Sequence, residues 1–184
     1  GWSSWQGLQQ LQRDIIPLKP RYITIYFGWN DHWLSYGIED KNMNFSASRF
    51  TLYRSLQHLR VFQFFSFFYN RFLQQESSTE RPLRVSPEDY RNNLRAMIKI
   101  ARENSITPIL ITAPSTHRIG HEPAYLQGRF LNNIQQLIPL HNQYTDIVRD
   151  VAKQDGVLLL DLQKQMDAIP YTALRDKYMK GDGI

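Results

Sequence analysis

The chain of 184 residues contains no cysteine. Disulfide bonds and thiolate zinc sites are therefore excluded as sources of stability or chemistry. The chain also lacks any apolar run close to the ~20 residues that a membrane-spanning helix needs. Its 22 Lys and Arg residues give a net charge of +5, but they are scattered and form no dense basic run. This distribution favours a solvated basic surface over a surface that binds nucleic acid.

The residues that are present have the proportions of a folded globular protein. Hydrophobic residues make up 42% of the chain and aromatic residues 13%, which is unlike the composition of disordered segments. A chain of this length can bury a sizeable core as one unit. We therefore expect residues 1–184 to form a single domain.

Three short apolar runs predict the strands of a parallel sheet, at residues 22–27, 108–113 and 157–162. Their hydrophobicity is continuous and not alternating, which is typical of strands that are covered on both faces. Helical patterns separate them, at residues 6–16, after the capping pair Ser86-Pro87, and at residues 144–155 before Gly156. The alternation of helix and strand predicts an α/β fold with right-handed crossovers.

Two connections, residues 36–85 and 114–143, are longer than ordinary loops. Long loops at the carboxyl ends of parallel strands usually build or cover the binding crevice. Within the first, residues 49–72 combine many Phe side chains with four arginines. Three interpretations stay open for this segment: a helix packed against the domain, a lid that faces substrate or a membrane surface, and a contact between subunits.

Two polar turns bounded by glycine carry the candidate chemistry. Gly28-Trp29-Asn30-Asp31 directly follows the first predicted strand, at the edge where open α/β sheets bind ligands. An Asn side chain there can donate its amide N–H groups to a developing oxyanion, although Gly, Asn and Asp also favour ordinary turns. Asp182 lies between two glycines near the end of the chain, where its carboxylate could orient a histidine or could simply lie in a surface turn.

Three stretches of the chain can be taken together: Gly1, the Gly-x-Asn-Asp sequence that begins at Gly28, and Asp182-Gly183-Ile184. In this order they resemble three sequence blocks of the SGNH hydrolases, the GDSL-like esterase and lipase family. The resemblance implies a flavodoxin-like three-layer α/β/α sandwich with a parallel sheet. It also implies a serine ester hydrolase of the esterase, lipase or O-deacylase type, which needs no metal or organic cofactor. By resemblance, the Gly1 N–H and the Asn30 amide would bind the oxyanion, and Asp182 would orient the catalytic histidine.

The chain departs from the family pattern at both ends. No residues match the first block, which contains the nucleophilic serine, and the histidine of the last block would follow Ile184. The chain also begins on Gly1 without an initiator Met. We therefore expect a domain that is incomplete at both ends, and no esterase turnover by residues 1–184 alone. The alternative is a non-catalytic module on the same fold that binds carbohydrate or lipid.

Several further side chains are candidates for contact with a small-molecule, glycan or lipid ester. The candidates for substrate binding are Trp29, Asp31, His32 and Trp33, of which His32 and Trp33 are expected at the rim of the pocket. For His32 and Trp33, local packing within the loop is the competing interpretation. Arg84 and Ser86 could also reach the crevice, although helix capping already explains Ser86.

Two other polar groups have a simpler interpretation. His117 and His121 are four residues apart, which would be metal-ligand spacing on a helix. Gly120 and Pro123 make a helix there doubtful, so loop histidines and no metal site are favoured. The segment around Asp40, with a charged residue on either side, predicts a solvated turn.

Overall fold

A computed structural model describes residues 1–35, 37–42, 81–170 and 172–173. The predictions for Asp182 and for the aromatic segment 49–72 concern residues outside these ranges. Across the described ranges, no helix has the length and apolar composition that crossing a bilayer requires.

The sheet has three parallel strands in the order β1-β2-β3. They are β1 (Tyr22–Tyr26), β2 (Thr107–Ile111) and β3 (Leu158–Leu160). Tyr22 lies opposite Thr107, and Ile109 lies opposite Leu158. The predicted α/β fold with a parallel sheet is confirmed. Strands β1 and β3 lie within the runs predicted from the sequence, and β2 begins one residue before its predicted run.

Four α-helices of the described ranges are connected to this sheet. They are α1 (Ser4–Gln10), α2 (Pro87–Glu103), α3 (Leu137–Gln154) and α4 (Leu162–Asp167). Helix α1 continues through a π-helical turn (Leu11–Ile15) and a 3-10 turn (Ile16–Leu18). Other 3-10 turns are Asp40–Asn42, Ala124–Leu126 and Ile134–Gln136.

Helix α2 begins where the sequence predicts. The Ser86 hydroxyl accepts the Asp89 N–H at 3.1 Å, and Pro87 occupies the first helical position. Its apolar stripe is buried as expected, with at most 2% of each side chain exposed, and consists of Tyr90, Leu94, Met97, Ile98 and Ala101. The main core lies between this stripe, the inner faces of α1 and α3, and one face of the sheet.

Two boundaries differ from the sequence prediction. Helix α3 begins at Leu137, seven positions before the predicted start, Tyr144. Pro139 is compatible with this start because N–H groups in the first turn have no partner within a helix. Helix α4 begins at Leu162, the last residue of the third predicted strand. The Asp161 side chain accepts the Lys164 N–H at 3.1 Å and caps the start of this helix.

The prediction that the strands are covered on both faces is not met in the described part of the chain. Ile25 and Leu110 face the helices and are at most 3% exposed. On the other face of β1, about half of Tyr22 and Tyr26 is exposed, and Leu158 in β3 is 61% exposed. The continuous apolar pattern of these strands therefore corresponds to one covered face here.

Candidate active site

The turn after β1 is closed by its own backbone and by Asp31. Gly28 has φ +131°, a conformation that favours glycine, and its N–H donates to Asp31 Oδ2 at 3.0 Å. The Asp31 N–H donates back to the Gly28 carbonyl at 3.2 Å. Beside the turn, the buried Tyr90 hydroxyl donates to the Phe27 carbonyl at 2.9 Å. The turn that carries Asn30 is therefore fixed to the end of its strand.

Asp31 connects this turn to the start of α1. Its side chain is fully buried, and Oδ1 accepts the Ser4 N–H at 2.7 Å. Burial raises the pKa of Asp31, while the hydrogen bonds from Ser4 and Gly28 and the positive charge of Arg84 oppose that rise. Asp31, a candidate for substrate binding, therefore lies in the interior, where both of its carboxylate oxygens bind backbone N–H groups.

Gly1 and Asn30, the two predicted oxyanion donors, lie side by side. A Cβ atom placed on Gly1 would lie 2.5 Å from Asn30 Nδ2, so a larger residue at position 1 would displace the Asn30 side chain. Asn30 Nδ2 donates one hydrogen to the Trp2 carbonyl at 3.1 Å, and an amide nitrogen carries a second hydrogen. Asn30 adjoins a cavity of about 230 Å³, whose lining is Trp2, Tyr26, Phe27, Gly28, Trp29, Asn30 and Ala113.

Helix α1 approaches the end of β1 closely through Gly7. A Cβ atom on Gly7 would lie 2.0 Å from Cζ of Phe27, so the Phe27 ring occupies the space that a side chain would need. Phe27 also lines the cavity beside Asn30. The absence of a side chain at residue 7 therefore determines how closely the helix packs against one wall of the site.

Arg84 and Asp40 hold the segment that precedes α1. Their side chains form an ion pair at 2.8 Å and are 16% and 5% exposed. Arg84 Nη1 donates to the Gly1 carbonyl at 3.1 Å, and the Ser3 hydroxyl donates to Asp40 Oδ2 at 2.5 Å. The prediction of a solvated turn at Asp40 is wrong, because its charge is neutralised by an arginine that is distant in sequence. Arg84 binds the N-terminal segment through the carbonyl of Gly1.

His32 forms a buried pair with His141. The Nε2 atom of His32 lies 3.2 Å from Nδ1 of His141, whose own Nε2 lies 2.9 Å from the Ala113 carbonyl. Because a carbonyl only accepts, His141 Nε2 carries a hydrogen and its Nδ1 accepts from His32 Nε2. The remaining nitrogen, His32 Nδ1, is buried and has no hydrogen-bond partner among the described residues.

This environment keeps both rings neutral. Burial, assisted by the neighbouring His141, lowers the pKa of His32 to about 3. Burial also lowers the pKa of His141. His32 therefore lies in the interior and not at the rim that we expected, because its ring packs against another element instead of facing the crevice.

The two tryptophans of the loop form an aromatic wall with this pair. Trp29 stacks on His141 with ring centroids 4.3 Å apart, and its Nε1 donates to the Pro114 carbonyl at 3.0 Å. Trp33 is half-buried and contacts His32, with ring centroids 4.5 Å apart. Of the four candidates for substrate binding, Trp29 lines the cavity beside Asn30.

Two further histidines of the described ranges lie in the connection between β2 and α3. His117 and His121 are outside any helix, as the sequence predicts. The rings of His117 and Trp29 are nearly perpendicular, with ring centroids 5.9 Å apart. In the part of the chain that the structure describes, no cluster of three or more His, Asp or Glu side chains could hold a metal ion.

A profile of the GDSL-like lipase/acylhydrolase family matches residues 1–184. The chain belongs to this family. No curated protein matches the chain in sequence.

Solved structures of similar fold include other GDSL-like hydrolases. A lipase/acylhydrolase from Enterococcus faecalis is 16% identical with a TM-score of 0.51, over 93% of this chain and 56% of that one. A GDSL-like lipase from Bacteroides thetaiotaomicron is 14% identical with a TM-score of 0.51, over 89% and 53%. An alpha/beta hydrolase from the metagenome of Lake Arreo is 19% identical with a TM-score of 0.50, over 90% and 52%.

These neighbours confirm the predicted SGNH hydrolase fold class. At such low identities the likeness concerns the fold alone. The chain spans about half the length of these structures.

For this member of the GDSL-like family, the sequence predicted the neighbourhood of Gly1 and Asn30 but missed two features. One is His141, which lies three positions before Tyr144 on the buried side of α3. A polar residue on that apolar stripe was the available signal, and it was missed because the helix was predicted to begin later. The other is the ion pair between Asp40 and Arg84, whose sequence separation of 44 gives no local signal.

Proposed function

We propose that residues 1–184 form the oxyanion-binding part of a serine ester hydrolase. The observation that carries the proposal is the contact between Gly1 and Asn30 beside a cavity at the carboxyl end of β1. Donors that are fixed in this way stabilise the negative oxygen of a tetrahedral intermediate without reorganising during the reaction. The second hydrogen of the Asn30 amide and the N–H of residue 1 are the donors.

The remaining reacting groups follow from the family pattern. The serine precedes Gly1 and attacks the ester carbonyl, while the histidine after Ile184 takes the hydroxyl proton. The oxyanion accepts hydrogen bonds from Gly1 and Asn30, and the intermediate collapses to an acyl-enzyme as the histidine protonates the departing alcohol. Water then releases the acid by the same steps in reverse. Asp182 holds the histidine in the correct tautomer, and no metal or cofactor takes part.

We propose small esters as the substrate class. The cavity beside Asn30 has a volume of about 230 Å³, which suits a short acyl group. The Trp29 ring forms one wall and is held by His141 and the Pro114 carbonyl. This wall therefore limits the size of the group that can occupy the site.

The test is Asn30→Ala in the full-length protein that contains residues 1–184, with 4-nitrophenyl acetate as substrate. We expect kcat to fall by about 10²–10³ with little change in KM, because one oxyanion donor is removed. Asn92→Ala is the matched control, since Asn92 is exposed on α2. An unchanged kcat in Asn30→Ala, with the protein folded, would refute the oxyanion role. A serine-directed phosphonate should label the full-length protein at a residue upstream of Gly1.

A non-catalytic module that binds carbohydrate is the second candidate. It is favoured by Trp2, which is 48% exposed and lines the same cavity as Trp29, since aromatic ring faces suit sugar rings. This candidate replaces the hydrolase if the flanking sequence contains no serine nucleophile and the full-length protein binds acetylated oligosaccharides without cleaving them.

A further inference from the structure

The four residues before and at the start of α1 are each bonded to a different part of the site. Arg84 Nη1 donates to the Gly1 carbonyl, and Asn30 Nδ2 donates to the Trp2 carbonyl. The Ser3 hydroxyl donates to Asp40, and the Ser4 N–H donates to Asp31. The position of the residue 1 N–H relative to the Asn30 amide therefore depends on contacts at both ends of this segment.

The backbone of Arg84 binds Trp33, in the loop that follows Asn30, and Asp40. Its N–H donates to the Trp33 carbonyl at 2.8 Å, and its carbonyl accepts the Asp40 N–H at 2.8 Å. The neighbouring Val85 N–H donates to the Asp31 carbonyl at 3.1 Å. Residues 83–85 thus run along the loop that follows Asn30 and hold it through these backbone contacts.

The side chain of Arg84 makes a set of contacts that a guanidinium can satisfy at once. Nη2 and Nε bind the two carboxylate oxygens of Asp40 at 2.8 and 3.3 Å, and Nη2 also lies 3.3 Å from Gln6 Oε1. Nη1 remains for the Gly1 carbonyl. A lysine ammonium is a single point of charge and lacks this planar fork.

We propose that Arg84 is a positioning residue for the oxyanion site, on the basis of these contacts and of the function proposed above. Its guanidinium fixes the Gly1 segment, and its backbone fixes the loop that follows Asn30. Arg84 therefore sets the separation of the two oxyanion donors without contacting substrate. Asp40 supports this role by holding both the guanidinium and the Ser3 hydroxyl.

The test is a double-mutant cycle in the full-length protein with 4-nitrophenyl acetate. We expect Arg84→Lys to lower kcat by roughly 10- to 100-fold with KM nearly unchanged, since small displacements of catalytic donors have effects of this size. In the Asn30→Ala background, Arg84→Lys should cause less than a threefold further loss, because the donor pair that it positions is already broken. Asp40→Asn should behave like Arg84→Lys.

The matched control is Arg95→Lys, which alters an arginine on α2 that pairs with Asp155 at 3.4 Å. It should leave kcat unchanged. Equal losses from Arg84→Lys with and without Asn30 would overturn the positioning role and indicate a general structural effect. If Asn30→Ala alone leaves kcat unchanged, the proposed function fails instead, which separates the two ideas.

A second measurement does not depend on activity. In NMR spectra of the full-length protein, Arg84→Lys should shift the Asn30 side-chain amide resonances and speed their exchange with water. The reason is that the Gly1 carbonyl would lose its contact with Arg84, so that the adjacent Trp2 carbonyl, which accepts from Asn30, would no longer be held in place. Arg95→Lys should leave those resonances unchanged. Identical Asn30 amide signals in the wild type and in Arg84→Lys would overturn the proposal.

Discussion

At the residue scale, the Asp31 carboxylate binds one backbone N–H on each oxygen, from Ser4 and from Gly28. Asp31→Asn replaces one acceptor oxygen by an NH₂ group, which would face the backbone N–H of either Ser4 or Gly28. We expect this change to lower the free energy of unfolding by about 1–3 kcal/mol, the cost of an unsatisfied buried donor. Urea denaturation measures this free energy. The control is Asp150→Asn, at an exposed position of α3, which should change the free energy of unfolding by less than about 0.5 kcal/mol. Equal stability of Asp31→Asn and the wild type would contradict this account.

The His32 pair predicts a pH dependence of stability. The folded pKa of about 3 lies below the unfolded value of 6.5, so the unfolded chain binds a proton that the folded chain does not. The stability that neutral His32 contributes is present above pH 6.5 and is lost as pH falls toward 3. The expected slope from this residue is roughly 1.4 kcal/mol per pH unit.

Urea denaturation at pH 6.5, 6.0, 5.5 and 5.0 measures this slope above the range where most carboxylates titrate. His32→Gln should reduce the slope, because glutamine does not acquire a charge, while the share that comes from the lowered pKa of His141 should remain. The matched control is His121→Gln, an exposed position that should retain the wild-type slope. A His32→Gln variant with the same slope as the wild type would contradict the assignment.

Asn30 could be predicted from the sequence because the signal is local: a polar residue directly after an apolar strand. The surroundings of Asp31 and His32 could not be predicted, because their partners Ser4 and His141 are 27 and 109 positions away. His32 was expected at the rim of the pocket for this reason. The contact of Asp31 and His32 with a substrate stays a prediction, as do the roles of Gly1, Trp29, Asn30, Trp33 and Asp182.

At the scale of elements, the contact of Gly7 with Phe27 predicts the response of α1 to substitution. Gly7→Ala places a methyl group where the Phe27 ring lies. We expect a net loss of stability, since overpacking costs typically 1–3 kcal/mol and the gain in helix propensity is at most about 1 kcal/mol. Thermal unfolding measures this loss.

Phe27→Leu supplies the matched background for Gly7→Ala. A smaller side chain at residue 27 should remove most of the cost of the added methyl group, so that the two changes are non-additive. If Gly7→Ala costs the same with Phe27 and with Leu at that position, the close approach is not the cause.

The sequence predicted elements best where boundary signals are strong. Ser86 and Pro87 mark the start of α2, and Tyr22 marks the start of β1. The start of α3 was missed because Pro139 resembles a break, although the first turn of a helix tolerates proline. Helix α4 was missed because Leu162 continues the apolar run of β3 in sequence, while the cap made by Asp161 ends the strand.

At the scale of the whole molecule, the chain spans about half the length of its structural neighbours. We expect purified residues 1–184 to show no turnover of 4-nitrophenyl acetate, because the family pattern places the nucleophile and the base outside them. The full-length protein is the positive control. Turnover by residues 1–184 that is abolished by Asn30→Ala would show that another nucleophile exists and that the motif assignment is wrong. That these residues form a single domain also stays a prediction.

The three leucines of β3 have a consequence for the behaviour of this chain in solution. Leu158, Leu159 and Leu160 are 61%, 38% and 41% exposed, and β3 is an outer strand of the described sheet. An accessible apolar strand of this kind is a template for pairing between molecules. Residues 1–184 prepared alone should therefore self-associate as their concentration rises, and a charged substitution at Leu158 should improve their solubility.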